Sequence, residues 1–328
     1  MRKGNQAMPN GEPRTNAGRN RGDKAGPMKA VAAVVVTFFP DEAVLERLEA
    51  VASEFACLVV VDNGSPMETC VRLSQWIEAR GGVWISNGRN SGLGVALNQG
   101  VKQALNLDFD WAVTFDQDSR PEPGFAAALW TTHLAMPRAA VIGPRIQEEA
   151  SEIGKYRWLR RHPRWPGCFE RAPCRGKDLG NVTMLVTSGS MIELATWQAL
   201  GGFDEGLFID YIDTDYCLRV IRAGRQVAVA AGAFLQHRLG ARESALLLGR
   251  DFRPTHHAAF RHYYIARNRL ALWRRHALAV PHWAAFDLSY SLYNLFRVLV
   301  FEEQRWQKFR AMLRGTWDGL RGRKGAMK

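Results

Sequence analysis

A chain of 328 residues, 47% hydrophobic and carrying 11 Trp, has enough apolar surface for one large α/β domain with a C-terminal extension, or for two modest domains. Its 44 Lys and Arg outweigh 32 Asp and Glu, so the net charge is +12, the pI is near 9.8 and the expected partners are anionic. The five cysteines form no C-x-x-C pair, which speaks against a zinc site; their odd number without a secretion signal suits reduced thiols in a cytoplasm.

Residues 1–29 are rich in Gly, Asn, Pro and Arg, lack the apolar core of a signal peptide and bury too little to order themselves, so a disordered basic arm is expected. From Ala30 the pattern alternates. Strands are predicted over Val31–Thr37, Cys57–Val61, Val83–Ser86 and Trp111–Phe115, with helices near Ala43–Phe55, Glu68–Arg80 and Gly92–Leu105 between them. Such alternation predicts an α/β fold with a mostly parallel sheet flanked by helices, whose ligands bind beyond the carboxyl ends of the strands. Four polar clusters follow those strands: Thr37-Phe38-Phe39-Pro40, Asp62-Asn63-Gly64-Ser65, Asn87-Gly88-Arg89-Asn90 and Asp116-Gln117-Asp118. They converge on one edge.

Two carboxylates flanking one residue, as in Asp116-Gln117-Asp118, can hold Mg²⁺ or Mn²⁺ against a diphosphate, because these hard cations prefer oxygen ligands and keep positions for phosphate. Asp62 can accept from a nucleobase N–H or a ribose hydroxyl, although its tetrapeptide is also a good turn. Asn90-Ser91-Gly92 opens a helix with glycine and so admits a ligand close to the backbone. No G-x-G-x-x-G fingerprint or Walker lysine is present, so neither an NAD fold nor a P-loop is supported.

Past Gly143-Pro144, residues 155–177 carry eight Lys or Arg, one Glu, Trp158 and Trp165, and are expected to form a long basic loop. A strand-like Thr183–Thr187 leads to Ser188-Gly189-Ser190, a small-residue bend able to pass beneath a substrate. Asp210, Asp213 and Asp215 precede a helical pattern; caps explain one or two of them, and Asp213 at a helix start is placed to take a proton from an attacking hydroxyl. A strand at Gln226–Ala231 leads to His237. Trp283–Val300 is apolar but contains Asp287 and Arg297, each costing about 2.5–3.5 kcal/mol at a bilayer centre, so no membrane span is predicted. Trp306, Phe309, Met312, Leu313, Trp317 and Leu320 recur at helical spacing among arginines, a stripe suited either to an anionic membrane surface or to packing on protein.

With these residues on the page, the chain resembles the family 2 glycosyltransferases of GT-A fold, and within them the bacterial rhamnosyltransferases of surface polysaccharide synthesis. The resemblance spans about Ala30 to Gly325 and rests on Val36-Thr37-Phe38-Phe39-Pro40, Val61-Asp62-Asn63-Gly64, Asn90-Ser91-Gly92, Asp116-Gln117-Asp118-Ser119, Thr187-Ser188-Gly189-Ser190, Asp210-Tyr211-Ile212-Asp213-Thr214-Asp215 and His237, in that order. The rhamnosyl subgroup is suggested by D-Q-D-S, by D-Y-x-D-T-D, by Tyr263-Tyr264-Ile265-Ala266-Arg267-Asn268 and by the terminal Leu313–Gly322.

That resemblance implies a GT-A catalytic domain over 30–245, its nucleotide-sugar half at 30–120 and its acceptor half at 121–245, followed by a helical segment at 246–328 that is membrane-proximal or oligomerising. It implies donor contacts at Thr37, Phe39, Asp62, Asn63, Asn90, Gly92 and Asp116, and acceptor contacts at Ser188, Gly189 and Asp215. Mg²⁺ or Mn²⁺ would be held by Asp116, Asp118 and His237. Asp213 would be the base of an inverting transfer; many members carry Glu directly before it where this chain has Ile212, so Asp210 and Asp215 stay open as alternatives. The implied partners are a nucleotide sugar, dTDP-L-rhamnose within the subgroup, and a glycan or undecaprenyl-diphosphate-linked saccharide at the inner face of the plasma membrane, with no nucleic acid and with homo-oligomerisation left open. Two rival readings are weaker. A nucleotidyltransferase needs a basic Gly-rich loop that Val34–Pro40 lacks, and a non-enzymatic basic protein leaves five aspartates without a purpose.

Overall fold

The computed structural model describes residues 30–147, 156–165, 167–237, 245–247, 250–252 and 257–327; the expected disordered arm at 1–29 lies outside them. Its first half follows the predicted alternation: strands β1 (Val31–Thr37), β2 (Leu58–Asp62), β3 (Val83–Ser86) and β4 (Trp111–Asp116) are joined by helices α1 (Val44–Ala52), α2 (Met67–Glu78) and α3 (Leu93–Asn106). Next come β5 (Ser119–Pro121), α4 (Phe125–Ala135), β6 (Ala139–Gln147), β7 (Arg157–Arg161), β8 (Phe169–Pro173), β9 (Ser190–Glu193), α5 (Leu194–Ala199), α6 (Ile212–Arg222) and β10 (Gln226–His237). A small hairpin of β11 (Ala245–Leu247) and β12 (Arg250–Phe252) precedes three C-terminal helices, α7 (Ala259–His276), α8 (Pro281–Phe301) and α9 (Arg305–Leu320).

Eight strands form one sheet in the order β3-β2-β1-β4-β9-β6-β10-β5. The first four neighbours are parallel, β9 runs antiparallel between β4 and β6, β10 is parallel to β6, and β5 is antiparallel to β10. Strand β1 is buried along its whole length because both faces are covered. Ala32, Val34 and Val36 share a core with α3 and α6, whereas Val31, Ala33 and Val35 share one with α1 and α4. This period-2 division of a continuous Ala/Val run is what a doubly covered strand requires, and each fully buried Val contributes about 1.5–3 kcal/mol.

Two expectations are corrected. Within the basic segment, β7 and β8 pair antiparallel where an open loop was expected, with Trp158 and Leu159 buried and Trp165 exposed. Thr183–Thr187 is not a strand; extended pairing resumes at β9, after the bend. The apolar stripe of α9, suited either to a membrane surface or to protein, is in large part not packed within this chain. Trp306, Leu313, Trp317 and Leu320 are each more than half exposed, and the helix meets α7 through Gly315 and Gly319, where a Cβ would lie 2.1 Å from the Tyr263 carbonyl oxygen and 2.8 Å from that of Arg267. Among the described residues no helix is long and apolar enough to cross a membrane.

Candidate active site

The parallel strands β1, β2, β3 and β4 end on one edge, and their following loops are tied into one surface. Thr37 Oγ1 donates to Asp62 Oδ1 at 3.0 Å, and Asp62 Oδ2 accepts from the backbone N–H groups of Gly64 (3.0 Å) and Ser65 (2.8 Å). Ser65 Oγ donates to Asp62 Oδ1 as well. Thr37 and Asp62 are fully buried, and the four acceptor directions of the carboxylate are engaged inside the protein. This carboxylate shapes the turn that follows β2. What the turn presents outward is Phe39, 60% exposed, whose backbone N–H donates to Ser65 Oγ at 3.0 Å.

Asn63 joins the next two loops. Its Oδ1 accepts from Asn87 Nδ2 and from the Ser91 backbone N–H, both at 3.1 Å, and its Nδ2 donates to Asn90 Oδ1 at 3.1 Å. Gly92 follows at φ 95, packed so closely that a Cβ there would come within 2.8 Å of the Phe208 ring. Only glycine suits both the angle and the space. Asn63, Asn90 and Gly92 thus lie together, with Asn90 Oδ1 accepting from Asn63 Nδ2 and from the Gly92 N–H at 3.0 Å.

Asp116 ends β4, and Asp118 stands one residue before Ser119, which pairs with His237 in the antiparallel register of β5 and β10. The backbone therefore brings the three expected metal ligands to one corner; the side chain of His237 is outside the described residues, and among those described no cluster of three His, Cys, Asp or Glu side chains forms a metal cage. Gln117, to which no role is given by the sequence, bridges to the loop after β1: its Oε1 accepts from the Phe38 N–H at 2.7 Å and its Nε2 donates to the Phe38 carbonyl at 3.1 Å.

Ser188 and Gly189 lie against the end of β4. Ser188 is buried, with Oγ accepting from the Asp116 N–H at 3.1 Å and lying 2.6 Å from Ser119 Oγ, while the Gly189 N–H donates to the Thr114 carbonyl at 2.7 Å. They hold the end of β4 from beneath.

The three acids before α6 separate. Asp213 lies in the first turn of the helix and accepts from the Thr214 N–H at 2.7 Å. Burial pushes its carboxyl up to about 6, against the Thr214 bond, and the charges of Asp210 and Asp116 push the same way. Asp210 forms a two-pronged ion pair with Arg261 of α7, an arginine that sequence patterns did not single out and whose guanidinium is also held charged by Asp116 and Asp213. Asp215 faces elsewhere. It is fully buried and bonded to Arg219 (2.8 Å), Arg275 (3.1 Å) and His276 (3.1 Å); burial would raise its carboxyl, but these partners hold it below the usual range. The partners of Asp215 thus lie on α6 and α7.

The geometry gathers Asp116, Asp210 and Asp213 with Arg261 at the strand ends, beside loops able to receive a nucleotide. A model of the family 2 glycosyl transferases matches residues 33–194. The dTDP-rhamnosyl transferase RfbF of Shigella flexneri is 27% identical over 294 residues, which cover 88% of this chain and 95% of RfbF. Among solved structures, the mannosyltransferase PcManGT of Pyrobaculum calidifontis, in complex with GDP-Man and Mn²⁺, superposes with a TM-score of 0.52 at 13% identity over 90% of this chain and 88% of its own. GalNAc-T7 with UDP, GalNAc and Mn²⁺ gives 0.51 at 14% identity over 74% of this chain, which spans 50% of the length of that protein. At such identities these two likenesses are of fold.

Proposed function

The chain belongs to the family 2 glycosyltransferases, and from that premise we propose that it transfers L-rhamnose from dTDP-L-rhamnose, with inversion, to a glycan hydroxyl in surface polysaccharide synthesis. The observation that carries the reading is Asp213: a carboxylate at the start of α6, raised toward neutral pH, facing the charge of Asp116 at the end of β4. In this scheme Asp213 takes the proton of the acceptor hydroxyl as its oxygen bonds to the anomeric carbon, and the bond from that carbon to the diphosphate oxygen breaks, leaving its electrons on dTDP. A basic residue with such a value is largely ionised at neutral pH yet still accepts a proton readily.

The donor set fits a hard divalent cation: Asp116 and Asp118 offer carboxylate oxygen, and the β5–β10 register carries His237 to the same corner. Mg²⁺ or Mn²⁺ held there would supply positive charge to the leaving diphosphate. Arg261, paired with Asp210 and coupled to the charges of Asp116 and Asp213, would add to that stabilisation when released from Asp210. We place the acceptor on a lipid carrier, since the outer face of α8 presents Leu288, Leu292, Phe296 and Val300 to the surface.

The test is calorimetric binding of dTDP-L-rhamnose, UDP-sugars and GDP-sugars, each with Mn²⁺ and with EDTA. Metal-dependent preference for dTDP-L-rhamnose is expected. Preference for another nucleotide sugar would discard rhamnose and keep the transferase, and no binding would overturn the reading.

A further inference from the structure

The segment between η-turn residues Glu205–Leu207 and α6 follows an improbable path. Phe208 has φ 66 and ψ −58, and the Ile209 N–H donates to the Leu207 carbonyl at 2.8 Å, so Phe208 is the central residue of a classic-handed γ-turn, a strained form for a side chain of this size. Asp210 at φ 62 and Tyr211 at φ 67 are left-handed as well. Three non-glycine residues at positive φ within four positions do not persist unless their surroundings over-determine them.

The surroundings are the Tyr263-Tyr264-x-x-Arg267-Asn268 segment of α7. Asn268, buried, directs its Nδ2 at the carbonyls of Leu207 (2.9 Å), Ile209 (2.8 Å) and Asp210 (3.0 Å). Arg267 donates to the Leu207 carbonyl at 2.9 Å, and Tyr264 stacks on the Phe208 ring with centroids 5.1 Å apart. From α8, Asp287 accepts from the Tyr211 hydroxyl and from Trp273 Nε1, the latter at 2.7 Å. On its other side the Phe208 carbonyl accepts from the Leu93 N–H at 2.7 Å, at the start of α3 beside Gly92. One loop therefore joins the C-terminal helices, the glycine-led start of α3 and the first turn of α6.

We infer that Asn268, together with Asp287 acting through Tyr211, is a positioning residue for the transfer: the pair clamps the strained Phe208–Tyr211 loop and thereby sets the placement of Asp213. The inference rests on the role proposed for Asp213. Released, the loop relaxes to ordinary backbone angles and turns the first residues of α6 away from the strand edge.

Asn268→Ala and Tyr211→Phe are to be compared with the wild-type protein in three measurements: calorimetric affinity for dTDP-L-rhamnose with Mn²⁺, the rate of dTDP release at saturating donor, and amide exchange across residues 206–216. Misplacing a reacting group by an ångström costs about 100-fold, which is the fall in release rate expected for Asn268→Ala. Tyr211→Phe, which deletes one hydroxyl and keeps the packing, is expected to lose about 10-fold, and both variants to bind donor within about threefold of wild type. Faster exchange confined to 206–216 is expected in both. A folded Tyr211→Phe protein with wild-type release and exchange overturns the clamp whatever befalls Asn268→Ala, and so does a loss of donor affinity equal to the loss of rate. If the wild-type protein binds no nucleotide sugar, the functional reading falls and the exchange measurement alone decides the clamp.

Discussion

Asp213 and Asp215 stand two residues apart on one helix and meet opposite environments, because two residues turn an α-helix through about 200°. Asp215 points into a cluster of cations and is held ionised; Asp213 points to the strand edge and is pushed toward protonation. The consequence has a definite sign. The folded value of Asp213 lies above its ordinary value, so the folded state binds a proton more tightly than the unfolded chain does, and ionised Asp213 destabilises the fold above pH about 6. Asp213→Asn is expected to abolish transfer and yet, in EDTA at pH 7.5, to raise the Tm, by about 2–4 °C for each kcal/mol of penalty removed. The gain must shrink as pH falls from about 6 toward the ordinary carboxylate range, where wild-type Asp213 is itself protonated. A variant melting at or below wild type across that range would show that Asp213 is not held at a cost. The same residue gives wild-type turnover a limb that rises as pH increases through about 6.

At the scale of elements, β1–α1–β2–α2–β3–α3–β4 was legible because each unit carries its own period, and the loops at the strand ends followed from it. What was not legible is which side chain within a loop meets ligand and which braces the loop. Asp62 looks like a ligand-binding carboxylate, but whether its oxygens are consumed by Thr37, Gly64 and Ser65 depends on a turn that sequence spacing cannot rank. Ser188, bonded to the Asp116 N–H, and Asp215, bonded to Arg275, raise the same question. On α9 the periodicity found the helix but not its packed face, since hydrophobic patterning gives no weight to glycine, and the helix packs through Gly315 and Gly319 with Asp318 bonded to the Tyr263 hydroxyl at 2.8 Å. In an exposed helix Gly→Ala gains up to about 1 kcal/mol. Here the added methyl meets backbone, so Gly315→Ala is expected instead to destabilise by about 1–3 kcal/mol, measured as a lower midpoint in urea. An unchanged or higher midpoint would mean that α9 does not seat against α7 at this contact.

For the molecule as a whole, α8 is amphipathic in the inverted sense. Its charged and amide groups Asp287, Asn294 and Arg297 are buried, whereas Leu288, Leu292, Phe296 and Val300 are 44–62% exposed. The inward groups are there for a reason already visible, since Asp287 holds Tyr211, Trp273 and Arg269. The outward face is left to meet something apolar. Exposed Trp306, Leu313 and Trp317 lie on α9, with the exposed arginines Arg305, Arg310 and Arg314 on the same helix. With a net charge of +12, a second copy of the chain is repelled, whereas an anionic leaflet is attracted by about 1 kcal/mol for each basic residue near it. The full-length protein is therefore expected to float with vesicles containing phosphatidylglycerol and to stay behind with phosphatidylcholine alone. Leu292→Glu combined with Phe296→Glu should remove flotation while leaving donor affinity intact, because both residues lie on the exposed face of α8. Flotation that survives both substitutions would move the membrane contact off α8, and a wild-type protein that floats with neither lipid but sediments as a dimer would make this face an interface between copies.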